Sequence, residues 1–478
     1  MKNLSLMLIT AAFVLASGSH HAEAQNAEQR TTLDDQQSVA VTIYNANLAL
    51  VKDTRKVKLG KGVQSLAFRG VSARMRAETA ILRNIDKPGG SRILEQNFDF
   101  DLLTPQKMLE KYLGKTIRIA RMNPATGEEK VEQAKILSTS SGVVVQIGDR
   151  IETNPGGRFI FDQVPANLRD QPTLSIQLDQ SRAGTDDLEL SYLTGGLDWK
   201  ADYVAELNAK EDRLELMGWV TLNNKSGASY TNATMQLVAG DVNQVRPEMY
   251  KNQRHLEEVT VTAARAATDM VEESLFEYHL YTLGRPTTIL DKQTKQVSLL
   301  SGAGIKTEKQ LVLQGSNYYY GRSYGDLGQR MKPVAYVVFK NDEANKLGVP
   351  LPQGVVRVYK RDSEGRAQFV GEDGIEHTAK NELVKLKLGE SFDVTANKKQ
   401  TNYKKIRDRV FETSFEVEIR NAKDESVTVI VREPIPGDWK MIDESQRHSK
   451  VAAGTAEWAV KVPAGGSKTL TYTARVSY

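Results

Sequence analysis

Residues 39–68, VAVTIYNANLALVKDTRKVKLGKGVQSLAF, alternate apolar and polar side chains. Period two places every second side chain on one face of a strand. Asn45-Ala46-Asn47 and Gly60-Lys61-Gly62 interrupt the alternation with turn chemistry. The stretch is therefore predicted to be strands joined by tight turns. Residues 104–115, TPQKMLEKYLGK, break the pattern. Thr104 can cap a helix, Pro105 suits its first turn, and Gly114 ends it. One short helix is predicted near residues 104–113. TIRIARM, EKVEQAKILST, GVVVQIGDRIET and GRFIFDQV follow as short strands, a run that predicts a small closed barrel.

From Leu188 onward, strands of five to eight residues end in Asn-rich or Gly-rich turns. This style favours antiparallel sandwiches. AEWAVKVPAGGSKTLTYTARVSY is predicted to be a hairpin turning at Ala464-Gly465-Gly466. Its end alternates Leu470, Tyr472, Ala474, Val476 and Tyr478. That suits the last strand of a sandwich with one buried face. It also resembles the terminal strand of an outer-membrane barrel, but the strands here are shorter and more polar than such a barrel needs. The predicted fold is mainly β: several antiparallel sandwich or small-barrel modules with one short helix. The predicted division is a signal over 1–24, a disordered leader over 25–36, and an N-terminal β domain over 37–113. A small barrel-like module over 114–166 and a sandwich region over 167–478 follow, with a mobile loop near 246–274.

Composition adds the compartment. MKNLSLMLITAAFVLASGSHHAEAQ has one Lys, an apolar run from Leu4 to Ala16, and a small-x-small site ending at Ala24. That pattern is a secretory signal, and the run is short for a membrane span. No transmembrane helix is predicted after its removal. Cysteine is absent, so no disulfide or thiol chemistry is available and the core must hold the fold. Trp199, Trp219, Trp439 and Trp458 are predicted in that core. The formal charge of +4 is spread among interspersed acids and bases. No basic block marks a nucleic-acid partner.

Candidate chemistry is sparse. There is no HExxH pair, no phosphate loop and no GxSxG elbow, and neither catalytic residues nor a cofactor are predicted. GEDGIEHTAKNE, residues 371–382, places Glu372, Asp373, Glu376 and His377 in a short span. Those side chains could hold a metal or serve as acid and base. The same stretch reads as a hairpin turning at Asp373-Gly374. GSNYYYGRSYGDLGQR, residues 315–330, carries Tyr318, Tyr319, Tyr320 and Tyr324. These either form an exposed patch for a glycan or protein, or pack on a neighbouring sheet. LEEVTVTAARAATD, residues 256–269, centres on Val259, Thr260 and Val261. It resembles the TonB box of outer-membrane receptors, an extended segment that adds a strand to its partner. It also reads, and more simply, as a flexible insertion between strands.

YLTGGLDWKADYVAEL and GWVTLNNKSGASYTNATMQLVAGDV resemble the domain of unknown function 4139. So do FEYHLYTLGRPTTILDKQTKQVSLL, LPQGVVRVYKRDSEGRAQFVGEDGIEHTAKNELVKLKLGESFDV and VPAGGSKTLTYTARV. The resemblance covers roughly residues 190–478. Some members, the mucoidy inhibitor A-like group, carry a long coiled coil. This chain has no heptad run to match. The resemblance implies a β-rich exported or envelope protein and supplies no catalytic residues. The expected function is a non-enzymatic binding or scaffold role in the bacterial cell envelope, with an unidentified envelope protein or glycan as partner. Two alternatives stand: a metal-dependent or hydrolytic periplasmic enzyme centred on residues 371–382, and an outer-membrane or TonB-linked component acting through residues 256–266.

Overall fold

The computed structural model describes residues 28–165, 168–240, 242–244 and 270–478. The chain is mostly strand, as its alternation predicts. It divides into two compact units. Among the described residues, one unit comprises those within 28–35, 56–71 and 83–188, and the other those within 36–55, 72–82 and 189–478. The strands Leu48–Leu59, Ile81–Asn84 and Gly184–Thr194 carry the chain from one unit to the other.

In the first unit, Gln29–Thr31, Gly62–Arg69, Thr173–Gln180 and Ser91–Asp99 form a four-stranded sheet in that order. Residues 28–36 were predicted within a disordered leader, yet Gln29–Thr31 pairs in parallel with Leu66–Phe68. Local polar contacts hold the segment. Asp35 Oδ2 accepts from the Thr32 N–H at 2.8 Å, and Arg169 grips Glu28 at 2.7 Å. A second, five-stranded sheet contains Thr116–Met122, Glu129–Ser138, Val144–Ile147, Arg150–Thr153 and Arg158–Ile160. Arg150–Thr153 and Arg158–Ile160 are its two unjoined edges, so this is an open sheet and not the closed barrel predicted. The helix Pro105–Lys111 closes one face instead. Thr104 Oγ1 caps it by accepting from the Lys107 N–H at 3.1 Å. Met108, Leu109 and Tyr112 then meet Ile117, Ile119, Ile136 and Val145 in one buried cluster.

In the second unit, the C-terminal region is a sandwich. One sheet runs Asp326–Met331, Val394–Arg407, Val410–Asn421, Ser467–Ser477 and Asp438–Glu444. The other includes Gln293–Gln314, Val427–Pro434 and Thr455–Val462. The core between them draws Val417, Ile419, Leu470 and Val476 from one sheet and Val429, Val431 and Val460 from the other. Ser467–Ser477 has one buried face, as the alternation predicted. The predicted hairpin at Ala464-Gly465-Gly466 is instead an arch. Thr455–Val462 pairs with Val427–Pro434, whereas Ser467–Ser477 pairs with Val410–Asn421. Asn421 fixes the arch, donating from Nδ2 to the Pro463 carbonyl at 2.9 Å and from its N–H to Gly466 at 2.8 Å.

One of the four tryptophans, Trp219, leaves the predicted core, and Trp439 packs at its margin. Trp199 and Trp458 are buried. Trp219 is 38% exposed, because it shares the outward parity of Glu215 and Met217 on Arg213–Asn224. Trp439 is half-buried, its indole N–H held by the Ala453 carbonyl at 2.9 Å. Residues 270–274, placed in the predicted loop, belong to the strand Met270–Leu275, which pairs with Tyr278–Leu283.

Candidate functional site

The Tyr-rich loop follows the long strand Gln293–Gln314. Asn317–Tyr320 form one turn of 3-10 helix. Three residues per turn send consecutive side chains in three directions. Tyr320 is fully buried and Tyr319 is 5% exposed, while Tyr318 is 55% exposed. The four candidate tyrosines therefore split. Tyr319 and Tyr320 belong to the sandwich core, and Tyr318 and Tyr324 face outward with Tyr324 half-buried.

Tyr318 meets Tyr319 edge-on at 4.7 Å between ring centroids and Tyr324 at 5.7 Å, with interplanar angles of 71° and 69°. The exposed rings thus present angled faces. The exposed Arg322 guanidinium lies 4.9 Å from the Tyr324 ring centre. Gln400 holds the loop from beneath. It is buried, and its Nε2 donates to the Tyr319 carbonyl at 3.2 Å and the Arg322 carbonyl at 3.1 Å. Its Oε1 accepts from the Tyr324 N–H. Tyr403 donates its hydroxyl to the Gly321 carbonyl at 3.2 Å and stacks on Phe411. A ring fixed in this way loses little conformational freedom when a ligand lands on it. The platform can offer apolar ring faces, with hydroxyl and guanidinium donors at its rim.

Beneath it lies a pair that charge-based reading of the sequence missed. Lys398 Nζ is 2.6 Å from Glu433 Oε1, and each side chain is 1% exposed. The ammonium lies 4.4 Å from the ring centre of Tyr319, 5.1 Å from Phe415 and 5.9 Å from Tyr472. Burial pushes the Lys398 ammonium below the usual lysine range, against the pull of Glu433. Burial also pushes the Tyr319 hydroxyl up to about 12, and Tyr320 and Tyr472 well above their ordinary value. Parity was the available signal. Val394, Ala396, Lys398 and Gln400 share one inward face, as do Val429, Val431, Glu433 and Ile435.

The acidic stretch at 371–382 is not the predicted hairpin turn. Asp373 and Gly374 lie inside the strand Ala367–Ile375, opposite Val356 and Val355. The chain reverses earlier, at residues 362–366. There Asp362 Oδ1 accepts the Glu364 and Arg366 N–H groups, both at 2.9 Å, and Gly365 takes φ +81. The strand pleat then separates the candidate ligands. Glu372 pairs with Arg357 at 3.3 Å, and Asp373 accepts from the Lys387 N–H at 2.7 Å. His377 Nδ1 accepts from the Gln353 N–H at 3.2 Å, and Glu376 is exposed beyond the strand's end. Among the described residues, no three His, Asp or Glu side chains are grouped to hold a metal ion. A cleft of about 190 Å³ is lined by Leu207, Tyr336, Val370 and Leu388. It is smaller than the roughly 300–1,000 Å³ of common small-molecule sites, and Lys309 and Lys360 on its wall both pair with Glu211. Val259, Thr260 and Val261 lie outside the described residues.

Fold and site together define a mainly β protein with a sandwich core and an aromatic surface loop. A family model described as Domain of unknown function (DUF4139) matches residues 188–478, and the chain belongs to that family. No curated protein matches it. Among the described residues, no helix is long and apolar enough to cross a membrane.

Proposed function

We propose that this chain is an exported, non-enzymatic binding module of the bacterial cell envelope that holds a glycan on the Tyr318–Tyr324 platform. The leader-like N-terminus supports export. One observation carries the binding reading. Tyr318 is 55% exposed although its two neighbours, Tyr319 and Tyr320, are 5% and 0% exposed. Its ring stands out in solvent yet is braced edge-on by Tyr319 and Tyr324. Sugars present an apolar C–H face and a polar rim, and a tyrosine matches both with its ring and its hydroxyl. The Arg322 guanidinium beside Tyr324 supplies further donors for sugar hydroxyls.

Co-sedimentation of the purified protein with isolated cell-wall sacculi and with insoluble polysaccharides tests this. The native chain is expected to sediment with at least one of them. Tyr318→Ala and Tyr324→Ala are expected to stay in solution with an unchanged urea midpoint. Failure of the native chain to sediment with any of these glycans would remove the reading, as would equal retention of both variants.

A further inference from the structure

The Lys398–Glu433 pair takes no part in the platform's surface. Lys398 lies on Val394–Arg407 and Glu433 on Val427–Pro434, so the pair bridges the two facing sheets of the sandwich. Immunoglobulin-type sandwiches carry their inter-sheet disulfide in that situation, packed against a tryptophan. This chain has no cysteine. It nevertheless has the tryptophan: Trp458 stacks on Tyr472 at 4.6 Å, and Tyr472 stacks on Phe415 at 5.0 Å.

The site is closed and tight around the carboxylate. Glu433 Oε2 is buried without a close hydrogen bond, and the hydroxyls of Tyr320 and Tyr472 face the carboxylate. A Cβ at Gly315 would collide with that carboxylate. A charged pair here is costly, because each ion has left bulk water. Moving one proton from the ammonium to the carboxylate removes both charges and leaves an amine beside a carboxylic acid. The low ammonium pKa set by burial favours that transfer.

We propose that Lys398 and Glu433 condense into an inter-sheet amide cross-link within the folded sandwich. The amine lone pair of Nζ attacks the carboxyl carbon Cδ, and the Nζ–Cδ bond forms. A Cδ–O bond breaks, and that oxygen leaves as water, carrying the proton transferred earlier and a second proton from nitrogen. Ammonium and carboxylate thus become one amide and one water. Nothing is oxidised or reduced, and no co-reactant enters. In water this condensation is opposed, but here Nζ is held 2.6 Å from a carboxylate oxygen and both side chains are 1% exposed. Such positioning corresponds to effective molarities of roughly 10⁵–10⁸ M in well-oriented reactions. The rings of Tyr319, Phe415 and Tyr472 hold the ammonium in place before the transfer. The product is neutral, so the buried charges do not persist.

Tryptic mass spectrometry of the purified native chain, unfolded after purification, reads this directly. Trypsin does not cleave after an acylated lysine. The expected product is residues 388–399, LGESFDVTANKK, joined to residues 433–440, EPIPGDWK. Its mass is the sum of the two peptides less one water, and fragmentation places the link at Lys398 and Glu433. Glu433→Ala is expected to return both segments as separate peptides. Glu433→Gln is expected to give the same linked peptide as the native chain, through loss of ammonia. Recovery of Lys398 and Glu433 from the native chain only in separate, unmodified peptides overturns the proposal. That outcome needs no variant to fold.

Discussion

Gln400→Ala isolates what holds the aromatic platform. The substitution removes two donations, to the Tyr319 and Arg322 carbonyls, and one acceptance, from the Tyr324 N–H. A single intramolecular hydrogen bond contributes about 1 kcal/mol net, and a buried partner left unsatisfied costs about 1–3 kcal/mol. The Arg322 carbonyl and the Tyr324 N–H are only partly buried and can regain water. The backbone bond from the Gln400 N–H to the Gly325 carbonyl, at 2.9 Å, survives the change. The balance is about 2 kcal/mol, a shift of roughly thirtyfold in the opening equilibrium of the loop. Amide hydrogen exchange should show faster exchange across residues 316–324, with unchanged protection in Val410–Asn421. Glycan affinity should fall with it, even though Gln400 touches no ligand. Unaltered exchange in the loop would refute the reasoning, because Gln400 would then not be what fixes the rings.

Other outcomes follow from the same geometry. Trp458→Ala should cost about 3–5 kcal/mol in urea unfolding. Trp219→Ala should cost under about 1 kcal/mol, since Trp219 is already 38% exposed. Gly315→Ala should destabilise by about 1–3 kcal/mol, because its new methyl meets the Glu433 carboxylate in a closed core. Arg121 and, after it, Arg150 hold the Glu152 carboxyl down at about 2 by hydrogen bonding. A depressed carboxyl supports folding above its ordinary value of 4.5 and loses that support as pH falls through about 2. An NMR titration of Glu152 should show that midpoint, and Arg121→Ala should raise it.

Much of the fold was legible because period-two alternation and helix caps are local signals. The helix at Pro105–Lys111 announced itself through Thr104 and Pro105. What failed was pairing. Ala464-Gly465-Gly466 can turn a hairpin or an arch with the same residues, and only the distant Asn421 decides. Asp373-Gly374 carries strong turn chemistry, but Asp362 and Gly365 reverse the chain first, so residues 367–375 remain extended beside 354–361. The open sheet over 116–160 has the strand count of a small barrel, while closure depends on edges that composition does not encode. The tyrosine loop was found as a candidate, but its division into core and surface rings depends on a single 3-10 turn with no repeating period. Lys398 and Glu433 sat at inward parity throughout, and their charge argued against the position their parity assigned.

The claim that a glycan rests on Tyr318 and Tyr324 is tested most directly by ring resonances. The protein, with its tyrosine side chains isotopically labelled, would be titrated with soluble fragments of the glycan that retains it in sedimentation. The account predicts saturable shifts at the Tyr318 and Tyr324 rings, with Tyr320 and Tyr472 unmoved in the core. Saturable binding that leaves both surface rings unshifted would contradict it.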